Sequence, residues 1–213
     1  ISEFVAIGAT SRSEFVELQN PTAADVGIAG LTITNRAGDS AVIHPATDPT
    51  GVMGLPLQLP ANGIMYGVPN PANAVDIPAT AAFVYGAPGT TFAVDDAGDI
   101  ISVKNGTVVF DSVDFTTFVS NPDLVVSAAA FPGAAGVSTQ LDVSKTTTAD
   151  NDLGGNWCTT FRAAATPGTA NGGCTQTTIV INEVLADVTG ADDLFTFIEL
   201  AGPGGALVGG LAI

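Results

Sequence analysis

Apolar and polar positions over the first 34 residues fall in short runs, ISEFVAI, EFVELQN and GLTITN, broken by SRS and PTAADVG. Short runs rich in β-branched and aromatic residues between turn formers predict strand, turn and strand, and none carries a helical period. Residues 36–60 are cut by Pro45, Pro49, Pro56 and Pro60, so the expectation there is a surface excursion with one strand near 41–44 and an extended piece near 55–59. A strand is expected over 64–68, and a single helical turn over 72–75 or 79–84. Residues 100–103 and 107–110 flank Lys104, Asn105 and Gly106, and Asn-Gly suits the two positive-φ positions of a type I′ hairpin turn. The second arm is expected to extend over 111–115. Residues 124–131 form a continuous apolar run suited to a sandwich interior, and 138–143 a further strand. TTTADNDLGG reads as a polar loop, 157–161 as a strand or buried anchor, and Pro167-Gly168 as a closing turn. The pattern is all-β, an antiparallel sandwich with helix limited to isolated turns.

The opening pattern returns at the end of the chain. Ile1, Glu3 and Phe4 correspond to Ile181, Glu183 and Val184; Phe15, Val16, Glu17 and Leu18 to Phe197, Ile198, Glu199 and Leu200; Gly30, Leu31 and Ile33 to Gly210, Leu211 and Ile213. Self-similarity at long period means repeated structural units. The expected organisation is therefore one complete domain over 1–172, a linker over 173–178 and the first strands of a second copy over 179–213. The linker is too short for the units to tumble freely. The chain opens with Ile inside a strand, not with Met, and shows no signal-peptide pattern, so the expectation is a processed protein or a fragment.

A strand reading I-x-E, a polar loop, a strand reading F-[VI]-E-L with Asn close behind and a hydrophobic-Gly-hydrophobic step resemble the start of bacterial lamin tail domains. LPANGIMYGV, DDAGDIISVKNGTVVFDSVDF, FPGAAGVSTQL and NWCTTFRAAATPGTAN resemble later parts of that family in the same order, so the likeness spans Ile1 to about Asn171. A Leu31-Thr32 pair stands where the family often has an aromatic residue after the glycine. The resemblance implies an immunoglobulin-like β-sandwich. It also implies a setting, since such domains are often attached to extracellular nucleases and phosphoesterases.

Composition narrows the function classes. Hydrophobic residues make up 46% of the 213 and charged residues 12%, against about 25% charged in an average domain. No apolar run reaches the roughly 20 residues of a membrane helix, so the expectation is apolar surface that meets another protein. With 21 acidic and 5 basic residues the formal net charge is −16, which opposes phosphate-backbone binding driven by Lys and Arg. The plainer reading of the acidic residues is a solvated surface.

Cys158 and Cys174 flank a loop rich in Gly, Pro and small residues, and a disulfide closing it implies an extracellular or periplasmic setting. Two buried thiols are the alternative. Catalytic machinery is thin: His44 is the single histidine, it lies among prolines, and no G-x-S-x-G elbow occurs. Glycine-rich stretches such as GPGGALVGG lack the Lys-Ser/Thr of a phosphate loop. Glu3, Glu17, Glu183 and Glu199 sit in otherwise apolar strands. Paired carboxylates can do acid/base work or hold a cation, while the plainer reading has each facing solvent or accepting a loop N–H. Asp150 and Asp152 begin like a calcium loop without its bidentate Glu, and an acidic turn is the alternative; Asp95, Asp96 and Asp99 share that ambiguity.

The leading expectation is a secreted, non-enzymatic structural or interaction protein of a cell-surface assembly or extracellular fibre. It would act on other copies of itself or on neighbouring extracellular proteins, without nucleic acid, membrane span or cofactor other than Ca²⁺ at the acidic turn. The alternatives are an accessory module of a secreted nuclease or phosphoesterase, and a Ca²⁺-dependent adhesin. For assembly, the incomplete copy is expected to expose apolar side chains at Ile181, Val184, Phe197 and Ile198 and to template pairing with another chain.

Overall fold

The computed structural model describes residues 1–5, 14–69, 81–85, 92, 94–95, 98–116, 118–119, 131–132, 137–161, 165–174, 180–185 and 197–201. The chain divides into two units, Ile1–Cys174 and Thr175–Ile213. In the first, the strands in chain order are β1 (Glu3–Val5), β2 (Phe15–Gln19), β3 (Val26–Gly27), β4 (Thr32–Thr34), β5 (Ser40–Pro45), β6 (Gln58–Leu59), β7 (Ile64–Val68) and β8 (Phe83–Tyr85). They are followed by β9 (Ile100–Asn105), β10 (Val108–Asp114), β11 (Phe118–Val119), β12 (Phe131–Pro132), β13 (Val137–Leu141) and β14 (Trp157–Phe161). The second unit holds β15 (Val180–Leu185) and β16 (Phe197–Ala201).

Ten strands form one curled sheet in the order β10-β9-β4-β5-β8-β7-β2-β1-β13-β14. The curl is made at β5, which changes partner along its length. Its first half pairs with β4 through Thr34↔Ser40 and Ile33↔Ala41, and its second half with β8 through Ile43↔Tyr85 and His44↔Val84. A strand that switches partner in this way makes a corner, and the sheet folds over on itself around one core. Phe4 of β1 stacks on Phe115 beyond β10 at 4.5 Å between centroids and meets Trp157 of β14 edge-on at 5.3 Å. Ile33, Ile101 and Val113 join Val16, Leu18 and Phe83 in the same buried cluster. The fold is all-β and sandwich-like.

A second, smaller cluster lies on the outer face of β1 and β2. Side chains alternate along a strand, so Phe4, Val16 and Leu18 enter the main core, while Val5 and Phe15 turn outward to Tyr66, Val68, Val84 and Ala165. Both faces of this strand pair are therefore covered, and that sets the environment of its glutamates.

The structure corrects several expectations. One neighbouring pair in the sheet, β7 and β8, runs parallel, with Gly67↔Phe83 and Val68↔Val84 in register. Phe83–Tyr85 is a strand, where a helical turn over 79–84 is one of two positions expected. The hairpin turn sits one residue later than Asn-Gly suggests: Asn105 pairs with Val108, leaving Gly106 and Thr107 as the loop. Only Gly106 of the two has positive φ, +57°, the pattern of a type II′ turn, in which glycine takes the first position. The polar loop after β13 contains a single α-turn, α1 (Thr148–Asn151), and a 3-10 turn over Gly154–Asn156. The expected helical turn over 72–75 and the run over 124–130 lie outside the described residues. No helix among the described residues is long and apolar enough to cross a membrane.

Candidate functional site

β1 and β2 place Glu3 and Glu17 directly opposite each other, and both side chains are fully buried on the outer face. Neither faces solvent, and the segment over 165–171 covers them. Glu3 accepts from the Ser138 hydroxyl at 2.6 Å and from the Thr166 N–H at 3.3 and 3.4 Å to its two oxygens. Glu17 accepts from the Ser2 hydroxyl at 2.7 Å and from the Gly168 N–H at 2.8 Å. Pro167-Gly168 turns with φ +79° at Gly168, which aims that N–H at the carboxylate without the strain a side chain would bring.

Burial, first of all, pushes Glu17 up to about 8, opposed by the Ser2 hydroxyl bond and reinforced by the neighbouring Glu3 charge. Burial likewise raises Glu3, against the donors at Ser138 and Thr166. The pair thus works as a clasp: carboxyl groups satisfy donors of the closing segment that would otherwise be buried unpaired. The same segment is tethered covalently, since Cys158 of β14 and Cys174 form a disulfide with Cα atoms 5.6 Å apart. Asp142 accepts from the Cys174 N–H at 2.6 Å and is held below the usual carboxylate range, chiefly by the Ser144 hydroxyl.

Asp150 belongs to a helix cap. Its carboxylate accepts from the Thr147 hydroxyl at 2.8 Å while Thr147 accepts from the Asp150 N–H, a reciprocal capping box. Asp152 follows at the end of α1, its carboxyl raised by burial and by Asp111. Among the described residues no three His, Cys, Asp or Glu side chains converge as metal ligands. Asp99 instead accepts backbone N–H groups from Arg36, Asp95 and Ile100. His44 lies on β5 with its ring against Gly51, where an added Cβ would come within 2.3 Å.

The second unit repeats the first pair in register. Glu3↔Glu17, Phe4↔Val16 and Val5↔Phe15 become Glu183↔Glu199, Val184↔Ile198 and Leu185↔Phe197. The donor beside the first glutamate is repeated too: Ser2 bonds Glu17, and Asn182 at the matching position bonds Glu199. What differs is the covering. In the first unit the pair is flanked by β13 and β7. In the second, Val184, Phe197 and Ile198 are 52%, 45% and 44% exposed, and Glu183 and Glu199 are exposed as well. Ile181 lies opposite Leu200 on this hairpin. Ser138 and the 166–168 turn have no counterpart among the described residues of this unit.

Sequence reasoning finds both glutamate pairs, the cysteines and the closing turn. It misses Ser138 and Thr166 as donors, because isolated hydroxyl residues carry no pattern. It also misses Asn151, which bonds Asp111 at 2.8 Å and accepts from the Trp157 indole at 2.9 Å. Comparison with known proteins gives no match to a family model, a curated protein or a solved structure.

Proposed function

We propose that this chain is a secreted, non-enzymatic structural protein of a cell-surface assembly or extracellular fibre, built from lamin-tail-like sandwiches and joined by strand complementation. The observation that carries the reading is the second hairpin, which reproduces the register of β1 and β2 and leaves exposed the side chains that the first unit buries. Two strands alone are marginal in water and expose unpaired backbone groups. An added chain satisfies those groups, with main-chain bonds giving affinity and Val184, Phe197 and Ile198 filling pockets. The disulfide supports an oxidising location, because such bonds persist outside the cytosol.

Light scattering with negative-stain imaging of the intact chain, beside a chain shortened at residue 178, tests this. The intact chain is expected to form long polymers and the shortened one to stay monomeric with its sandwich folded. An intact chain that stays monomeric at high concentration, or a shortened chain that assembles normally, overturns the proposal.

A further inference from the structure

Resting on the secreted location proposed above, we propose that Asn105 carries an N-linked oligosaccharide whose first sugars lie over Val108 and Phe110. Asn105-Gly106-Thr107 is the single Asn-x-Ser/Thr sequence among the 213 residues whose middle residue is not proline. That spacing is the acceptor for a glycan on the asparagine amide of a secreted protein. The same residues form the tip of the β9–β10 hairpin, with Asn105 opposite Val108 and with Gly106 and Thr107 as the loop. All three are exposed, and the Asn105 and Thr107 side chains make no hydrogen bond among the described residues.

Asn20 provides the contrast. It also stands two residues before a threonine, but Pro21 lies between them, the side chain is buried, and its Nδ2 donates to the carbonyls of Ala24, Leu59 and Pro60. The Asn105 amide is held by nothing of this kind and is open to a transferase. The step is a displacement at the anomeric carbon of an oligosaccharide carried on a lipid diphosphate. Asn105 Nδ2 bonds to that carbon, the bond from the carbon to the diphosphate oxygen breaks, and the lipid diphosphate leaves with the electron pair. The amide nitrogen gives up one proton to a base of the transferase, and nothing is oxidised or reduced.

The surroundings of Asn105 give the glycan a physical role. Among the described strands β10 pairs with β9 alone and ends the ten-stranded sheet. Val108, Val109 and Phe110 are each more than half exposed. Edge strands are kept from pairing with other chains by charges, prolines, bulges or a cover. This stretch has a bulge at Phe110, where the register shifts between Val109 and Asp111, but neither a charge nor a proline over 108–110. Cross-strand partners share a face, so Asn105 and Val108 project from the same side of the hairpin. Val103, two residues before Asn105, shares that side, and it lines one groove together with Phe110. A glycan on Asn105 therefore starts on the face where Val108 and Phe110 are uncovered. The C–H faces of its first sugars remove that apolar surface from water while their hydroxyls stay hydrated.

Mass analysis of the protein recovered from its own cells tests the attachment, on the peptide over 99–110 freed by cleavage before Asp99 and Asp111. That peptide is expected to carry the mass of an oligosaccharide. Peptide of unmodified mass, or changed only by deamidation of the Asn-Gly pair, in protein from the cell surface overturns the glycan and leaves the secreted location standing. Protein found only inside the cell, without the glycan, overturns both. Thr107→Ser is expected to keep the glycan, whereas Thr107→Ala and Asn105→Gln are expected to lose it with the Cys158–Cys174 bridge and the melting temperature retained; a glycan kept at Asn105 in Thr107→Ala would contradict the acceptor assignment. Nuclear Overhauser contacts from the first sugars to the Val108 methyls and the Phe110 ring are expected in the glycosylated protein. Sugar signals without those contacts refute the covering of Val108 and Phe110.

Discussion

Glu17 shows how one buried residue makes stability depend on pH. It titrates at about 8 in the folded chain against an ordinary 4.5, so the folded state holds the proton more tightly than the unfolded chain. For such a group the stabilisation is complete below pH 4.5 and is lost as pH rises through about 8. Glu3 shifts in the same direction for the same first cause, burial, so the pair titrates together with the same sign. The melting temperature of the native protein should fall between about pH 5 and pH 9, reflecting a loss on the order of a few kcal/mol. Glu17→Gln stays neutral throughout and should flatten that fall; an equally steep fall in the variant would contradict the clasp. The glutamate pairs are legible in the sequence because an acidic residue stands out in an apolar strand. Their burial is not legible, since the segment that covers them is 163 residues from Glu3 at Thr166.

At the scale of elements, the closing segment and the parallel step carry the sharpest expectations. The Cys158–Cys174 bridge has a sequence separation of 16 and tethers the segment that bonds both glutamates. Replacing both cysteines with serine should cost about 3 kcal/mol through the unfolded state, or roughly 6–12 °C in Tm for a unit of this size. Hydrogen exchange should quicken over 165–174 while β1, β2 and β7 stay protected, and global unfolding on reduction would contradict a local role. Gly67 on β7 has no room for a side chain, because an added Cβ would lie 2.1 Å from the Phe83 ring on the neighbouring parallel strand. Gly67→Ala should therefore destabilise by about 1–3 kcal/mol, measured by denaturant melting, and a neutral result would contradict the packing described at that step. The expected strands near 41–44, 64–68, 100–110 and 157–161 are found because turn formers delimit short β-rich runs. The parallel neighbours β7 and β8 leave no such mark: strand direction depends on where the chain returns, and local pattern is blind to that.

For the whole molecule, the repeat is both the plainest feature of the sequence and the one on which the proposed function rests. The same register occurs twice, once with a strand on each side and donors over its glutamates, and once on a hairpin whose described residues are exposed. The sequence reveals the repeat but not the difference in covering, because the exposure of Val184, Phe197 and Ile198 is seen only in the structure. Amide hydrogen exchange of β15 and β16 at high and low protein concentration tests the central claim most directly. Exchange over Val180–Leu185 and Phe197–Ala201 should be slow in concentrated protein and accelerate many-fold on dilution, as the hairpin loses the strand that completes it. Exchange at those amides that is the same at every concentration would contradict assembly through this hairpin.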